Sequence, residues 1–177
     1  MTLFHLINTG WSNALFDIIM PMVRSKYIWM PLYTFISAFL FFNYRNHGWK
    51  FLILLIVVVA ISDSVSSQLI KKNVERMRPC NNTEVLVIER VDCGSGYSFT
   101  SSHAANHFAI ATMLIFGMVR RRWLKWAVIA WASIVCLAQI YVGVHYPLDV
   151  IGGALLGVCI AWGTFELSTR WGWTLSD

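Results

Sequence analysis

A histidine and a carboxylate stand four residues apart in YVGVHYPLDVIGG, residues 141–153, at the junction of two long apolar runs. At that spacing the Asp149 carboxylate can accept a hydrogen bond from one ring nitrogen of His145. This fixes the tautomer and leaves the other nitrogen's lone pair free to attack an electrophile. Pro147 suits the first turn of the helix that follows. Lipid penalises ionisable groups, so a pair of them at the end of an apolar span points to function. The competing reading is a polar helix start whose Asp149 merely favours the dipole.

Two further clusters carry chemistry of a matching kind. In KKNVERMRPC, residues 71–80, Lys71 and Arg78 are two helical turns apart and would share one face. Pro79 would then end or bend that helix. Two cations on one stripe can grip a phosphate, Arg bidentately and Lys as a point charge. The alternative is an ordinary basic membrane flank in which Lys72 and Arg76 are neighbours. In GYSFTSSHAANHF, residues 96–108, Ser101 and Ser102 read as N-caps of a helix. Its free N–H groups and positive dipole end suit an anion. His103, in the first turn, could protonate the leaving oxygen of a phosphate ester. Plain capping is the alternative. Brought to one point, two cations, a helix-start cradle and two histidines describe a phosphoryl-transfer site with His145 as nucleophile.

The elements that must position these groups are apolar helices. Of 177 residues, 57% are hydrophobic and only 13% charged, against about 25% charged in ordinary soluble domains. The reading is a single integral-membrane domain, 1–177, all-α. It is a polytopic transmembrane bundle of five to six helices plus an N-terminal amphipathic helix at 1–26 lying on the membrane surface. Spans are expected at 27–43, 50–70, 103–119, 124–144 and 147–166. The nine Trp and six Tyr fit interfacial belts. The run at 120–125, Arg45 with Lys50, and Arg170 fall on one face, the cytoplasmic one by the positive-inside rule. The other face holds as many basic residues, so relative topology is better set than direction. In either direction the loop 71–102 and the HYPLD junction share a face. The charge of +5 fits anionic lipid or phosphate. With no basic stripe on a soluble module, nucleic acid is excluded as a partner. With no basic start and no obvious small-residue cleavage site, residues 1–26 are not expected to be a cleavable signal. Cys80 and Cys93 share the polar loop and could close it with a disulfide on an extracytoplasmic face, free thiols being the alternative. Cys136 and Cys159 fall in spans.

At this point the sequence resembles the type 2 phosphatidic acid phosphatase superfamily, whose signatures are K-x6-R-P, P-S-G-H and S-R-x5-H-x3-D. The first is intact from Lys71 to Arg78–Pro79. The second appears as TSSH, residues 100–103, keeping Ser101 and His103 without the Pro or Gly. The third, residues 138–149, keeps His145 and Asp149 at the family spacing, but its Ser-Arg is Ala138–Gln139. The resemblance implies that His145 forms a phosphohistidine, oriented by Asp149. His103 would protonate the leaving oxygen and later activate water. Lys71, Arg78 and the Ser101–Ser102 region would hold phosphate oxygens, with Gln139 in the arginine's place. It also implies that no cofactor and no metal is needed. The substrates implied are lipid phosphates or diphosphates: phosphatidic acid, phosphatidylglycerol phosphate, polyprenyl diphosphates or lipid A. The setting implied is a bacterial inner membrane with the site facing the periplasm or exterior, reached through the loop 71–102.

Two rival readings stay open at this level. Gln139 can donate hydrogen bonds but not neutralise charge, so the chain could bind a lipid phosphate and turn it over poorly; Arg76 or Lys72 could compensate. Alternatively His103 and His107, H-x3-H, with His145 and Asp149, could form a metal-dependent hydrolase. Asp63, inside the second span, requires a partner, and structural pairing with a Ser or Asn is expected.

Overall fold

The computed structural model describes residues 2–173 and Leu175; among these there are helices and no strands. Six helices of ten residues or more form the frame. They are α1 (Ala14–Val23), α2 (Met30–Asn43), α3 (Arg45–Ser64), α4 (Ser102–Gly117), α5 (Arg122–Tyr141) and α6 (Pro147–Arg170). Helix α3 runs on through a π-helical turn, Val65–Ile70, into Lys71–Val74. Three segments, His47–Asn81, Arg122–Tyr141 and Pro147–Arg170, are long and apolar enough to cross a membrane. Their outward side chains, among them Val57, Leu155 and Trp162, are exposed hydrophobics, as expected where lipid replaces water. The protein is an integral membrane protein. At 14 and 16 residues, α2 and α4 are shorter than those three.

Helix α4 is the core of the bundle, with nine of its sixteen residues buried, and α3, α5 and α6 pack around it. Its contact with α6 is set by small residues. A Cβ at Gly153 would run into the Ser101 carbonyl oxygen, and one at Gly157 into that of Ala105. Glycines four apart facing Ala104, Ala105 and Ala109 let two backbones touch, the usual way helices gain packing energy when water gives no drive. This close approach lays the first turn of α4 against the first turn of α6, where the Ser101 N–H donates to the Asp149 carbonyl at 3.0 Å. Lower in the bundle Leu40, Phe51, Val58 and Met113 are wholly buried and fill the space between α2, α3 and α4.

The N-terminal region is not the single surface helix expected. Leu3–His5 and a π turn, Leu6–Gly10, form one piece. Asn13 then caps α1 by accepting from the Phe16 N–H at 2.9 Å. Phe4, Ile7 and Asn8 are buried rather than laid on a surface. The Asn8 amide donates to the carbonyls of Ile88 (3.0 Å) and Tyr141 (2.8 Å) and accepts from the Ile88 N–H. Arg90 fastens the same junction: it pairs with Asp17, donates to the Tyr141 carbonyl at 2.9 Å and lies 4.0 Å from the Tyr141 ring centroid. A polar side chain that satisfies backbone groups of two other segments has to be buried. That requirement turns this stretch inward.

The loop is also built differently from the expectation. The helix carrying Lys71 ends at Val74, and Glu75 takes a left-handed conformation (φ 52°) that turns the chain. Lys71 and Arg78 therefore do not share a helical stripe. Arg78 is extended, and Pro79 opens a short 3-10 turn, Pro79–Asn81. A disulfide joins Cys80 to Cys93, Cα atoms 5.9 Å apart.

Candidate active site

The three clusters meet where the loop closes over the first turns of α4 and α6. Two backbone hydrogen bonds knit them: the Ser98 N–H donates to the Arg76 carbonyl at 2.7 Å, and Ser101 to Asp149 as above. His145 lies in the turn between α5 and α6, which Gly143 makes possible with φ +88°. The ring is almost fully buried, and Asp149 is completely so.

The imidazole and carboxylate do not make the direct hydrogen bond expected from their spacing. Nδ1 of His145 is 3.8 Å from Oδ2 of Asp149, too long for one. Ser98 bridges the gap. Its hydroxyl donates to Asp149 Oδ2 at 2.5 Å and lies 3.4 Å from His145 Nδ1. Because the single Ser98 proton goes to the carboxylate, its oxygen is left to accept from Nδ1–H. The relay thus protonates Nδ1 and frees Nε2. Asp149 also accepts from the Tyr146 N–H at 2.8 Å, closing a capping box at the start of α6, and from Arg76 Nη1 at 2.8 Å. The Arg76 guanidinium lies 4.3 Å from the Tyr146 ring centroid. Several donors and one cation thus hold one carboxylate, which in turn holds one imidazole. Burial, with the charges of Lys71 and Arg78, pushes His145 down to about 4 against the opposing pull of Asp149. The ring is neutral near pH 7 and its lone pair is available.

Lys71, Arg78 and Asp149 all act electrostatically on His145, and His145 and Lys71 both act on His103, so these groups lie within electrostatic reach of one another. Arg78 is steered by the loop: its Nη1 donates to the Cys93 carbonyl inside the disulfide ring. Its Nε is buried with no partner among the described residues. Of the two expected caps, Ser101 is the one that forms, accepting from the Ala104 N–H at 3.4 Å. Ser102 is instead the first helical residue, and its hydroxyl is 2.9 Å from that of Ser66. The π turn of α3 places Ser66 there. Gln139 is completely buried, and neither its amide nitrogen nor its oxygen has a partner among the described residues.

Ser102 and His103 open onto a cavity of about 820 Å³ between α2, α3 and α4. Its walls are apolar, with Ile36, Leu55, Ile56, Val59 and Ile110 among them. Lys26, Asp63 and Asn106 add polar groups. Asp63 has the kind of partner expected, for the Asn106 amide donates to its Oδ1 at 3.2 Å.

The four residues offered for a metal do not assemble. His107 Nδ1–H donates to the His103 carbonyl at 2.8 Å, and its Nε2 faces the Tyr33 hydroxyl at 3.3 Å. Both nitrogens are therefore engaged. Among the described residues, no group of three or more His, Cys, Asp or Glu could hold an ion.

A family model described as the PAP2 superfamily matches residues 49–173. The chain belongs to the PAP2 superfamily. Lipid A 4'-phosphatase of Bacteroides thetaiotaomicron is 31% identical over 165 residues, 89% of this chain and 72% of that protein. Phosphatidylglycerophosphatase B of Bacillus subtilis is 29% identical, covering 88% of this chain and 74% of that one. The crystal structure of Aquifex aeolicus LpxE superposes with a TM-score of 0.70 at 28% identity, over 93% of each chain. This PAP2 chain is a membrane lipid phosphatase. Neither the metal-dependent nor the non-catalytic reading is favoured.

Sequence reasoning missed two parts of the PAP2 site. Ser98 carries no local signal, being one serine in a polar loop. The Gly153-x3-Gly157 pattern was readable, since small residues four apart on an apolar helix announce a close helix contact.

Proposed function

We propose that the chain removes a phosphate monoester from an anionic membrane lipid of the lipid A type, through a phosphohistidine at His145. The observation that carries this is the relay Asp149–Ser98–His145 placed beside His103, at the mouth of an apolar cavity large enough for acyl chains. His145 Nε2 attacks phosphorus and an N–P bond forms. The P–O bond to the lipid breaks, and His103 gives the leaving oxygen its proton. His103 then takes a proton from water, whose oxygen attacks phosphorus and breaks the N–P bond. Lys71, Arg78, Gln139 and the Ser101–Ser102 helix start hold the equatorial oxygens. Fixed cations in a water-poor site stabilise charge that builds in the transition state. No step requires a metal.

The substrate class rests on the relatives. Lipid A 4'-phosphatase of Porphyromonas gingivalis also matches, 26% identical over 96% of this chain and 74% of that protein. An undecaprenyl-diphosphatase of Sulfolobus acidocaldarius matches at 28%, which makes a polyprenyl diphosphate the second substrate to assay. Helices α2 to α6 are proposed as five crossings, with α1 at the interface. The disulfide in the site's own loop supports an exterior or periplasmic face, where thiols oxidise.

The test is phosphate release from lipid A, phosphatidic acid, phosphatidylglycerol phosphate and undecaprenyl diphosphate in detergent micelles containing chelator. Label from ³²P-substrate should become acid-labile, alkali-stable and attached at position 145, and His145→Ala should abolish both turnover and label. Turnover that chelator abolishes and zinc restores, or label on another residue, contradicts the mechanism.

A further inference from the structure

The PAP2 site lacks one positive charge, because the third motif carries Gln139 where its arginine stands. Two basic residues could have compensated, and the structure commits one elsewhere: Arg76 pairs with Asp149. Lys72 is exposed. Another cation approaches from an element outside all three motifs. Arg24 is the C-cap of α1. It stands two residues before Lys26, which lines the cavity together with Ser102 and His103. The Arg24 Nε is buried with no hydrogen-bond partner among the described residues, and so is the Nε of Arg78. The two guanidinium groups repel each other, and among the neighbouring charges Arg24 acts most strongly on His103. Burial and the facing Arg78 both hold the Arg24 guanidinium below its ordinary pKa.

Two half-buried guanidinium groups that repel each other and leave N–H donors unpartnered are a costly arrangement by themselves. The arrangement becomes favourable when a multivalent anion accepts from both. The wholly buried Gln139 amide, unpartnered at both ends, needs a polar neighbour of the same kind. We propose that Arg24 is a phosphate ligand of this enzyme. It supplies, from the N-terminal helix, the charge that the third motif has lost at Gln139. This deepens the proposed hydrolase reading and rests on it. It also explains why the N-terminal segment is docked so firmly. Asn8 and Arg90 fasten that segment to the loop and to α5, which fixes where α1 ends and hence where Arg24 points.

The test is a charge-relocation series in full-length protein: Arg24→Ala, Arg24→Lys, Gln139→Arg and the double variant Arg24→Ala/Gln139→Arg. Phosphate release from lipid A and inhibition by sodium tungstate, a phosphate mimic, are both measured. Losing one charged hydrogen bond to a phosphate should lower kcat/KM about 10- to 100-fold and weaken tungstate inhibition comparably. Arg24→Lys should retain part of both, and the double variant should regain most of both. Thermal melts in detergent identify a variant that has merely unfolded, in which case Arg24→Lys against the parent decides. The proposal is overturned if folded Arg24→Ala stays within about threefold of the parent in both assays. It is equally overturned if Gln139→Arg restores nothing to it. A parent chain that releases no phosphate yet binds tungstate in titration calorimetry, and loses that binding in Arg24→Ala, would sink the hydrolase reading and leave this assignment standing.

Discussion

The hydroxyl of Ser98 lies 2.5 Å from Asp149 Oδ2, while the imidazole that Asp149 serves is 3.8 Å from the same oxygen. The orienting group in the proposed mechanism is therefore a relay of two side chains, one of them from a loop with no regular structure. Ser98→Ala removes the link without removing charge. The expected result is a fall in kcat of about 5-fold with KM little changed, since roughly 1 kcal/mol of neutral hydrogen bonding is lost. Ser98→Thr should recover part of it. Steady-state phosphate release separates the two constants, and an unchanged kcat in Ser98→Ala would show that the carboxylate orients His145 without help.

Arg76 neutralises a completely buried carboxylate while its own side chain is 35% exposed. Deleting the partner of a buried charge typically costs about 3–5 kcal/mol. With one partner reaching solvent, about 1–3 kcal/mol is the expectation for Arg76→Met. A melting temperature lowered in detergent, together with weaker turnover, is the predicted pair of readouts. Arg76→Lys should keep the charge but lose the planar contact with Tyr146, and so fall between the two.

How much of this was legible depended on whether a residue acts through its neighbours in sequence or across space. His145 and Asp149, His103 after its cap, and Lys71 with Arg78 belong to short patterns whose chemistry can be stated from residue types. The membrane class follows from apolar runs alone. What the pattern misjudged was backbone direction. The seven-residue spacing of Lys71 and Arg78 suggested one helix, whereas a left-handed Glu75 breaks it and the disulfide loop delivers Arg78 by another route. Residues 1–26 showed helical spacing, but Asn8 bonds with Ile88 and Tyr141, contacts no local pattern encodes. Ser98 and Arg24 were unreadable for the same reason.

His145 should set the acid limb of the pH profile. In the proposed mechanism the ring attacks only when neutral. Its pKa is lowered from the ordinary histidine value to about 4, chiefly by burial. A lowered pKa keeps the reactive form populated to more acidic pH. On the His145 side, phosphohistidine formation should therefore persist to about pH 5 and fall off around 4, where an ordinary histidine would already be protonated below about 6.5. Rapid-quench labelling of His145 across that range checks it. A midpoint near about 6.5 would mean that the ring is reached by water and that the closed geometry is not the working one.

The contact between α4 and α6 makes the last prediction, because it is what brings two separate motifs to one point. A methyl group at position 157 would meet the Ala105 carbonyl, and one at 153 that of Ser101; at position 163 nothing lies within 4 Å. Backbone cannot yield as a side-chain tip can, so the helices must separate. Separation at the first turns moves His103 away from His145, and misplacement by about 1 Å can cost roughly 100-fold in rate. Gly153→Ala and Gly157→Ala should therefore lose activity by one to two orders of magnitude and melt earlier. Gly163→Ala, on the same helix, should match the parent in phosphate release and melting temperature. If all three behave alike, the close approach of α4 and α6 is not what assembles the site.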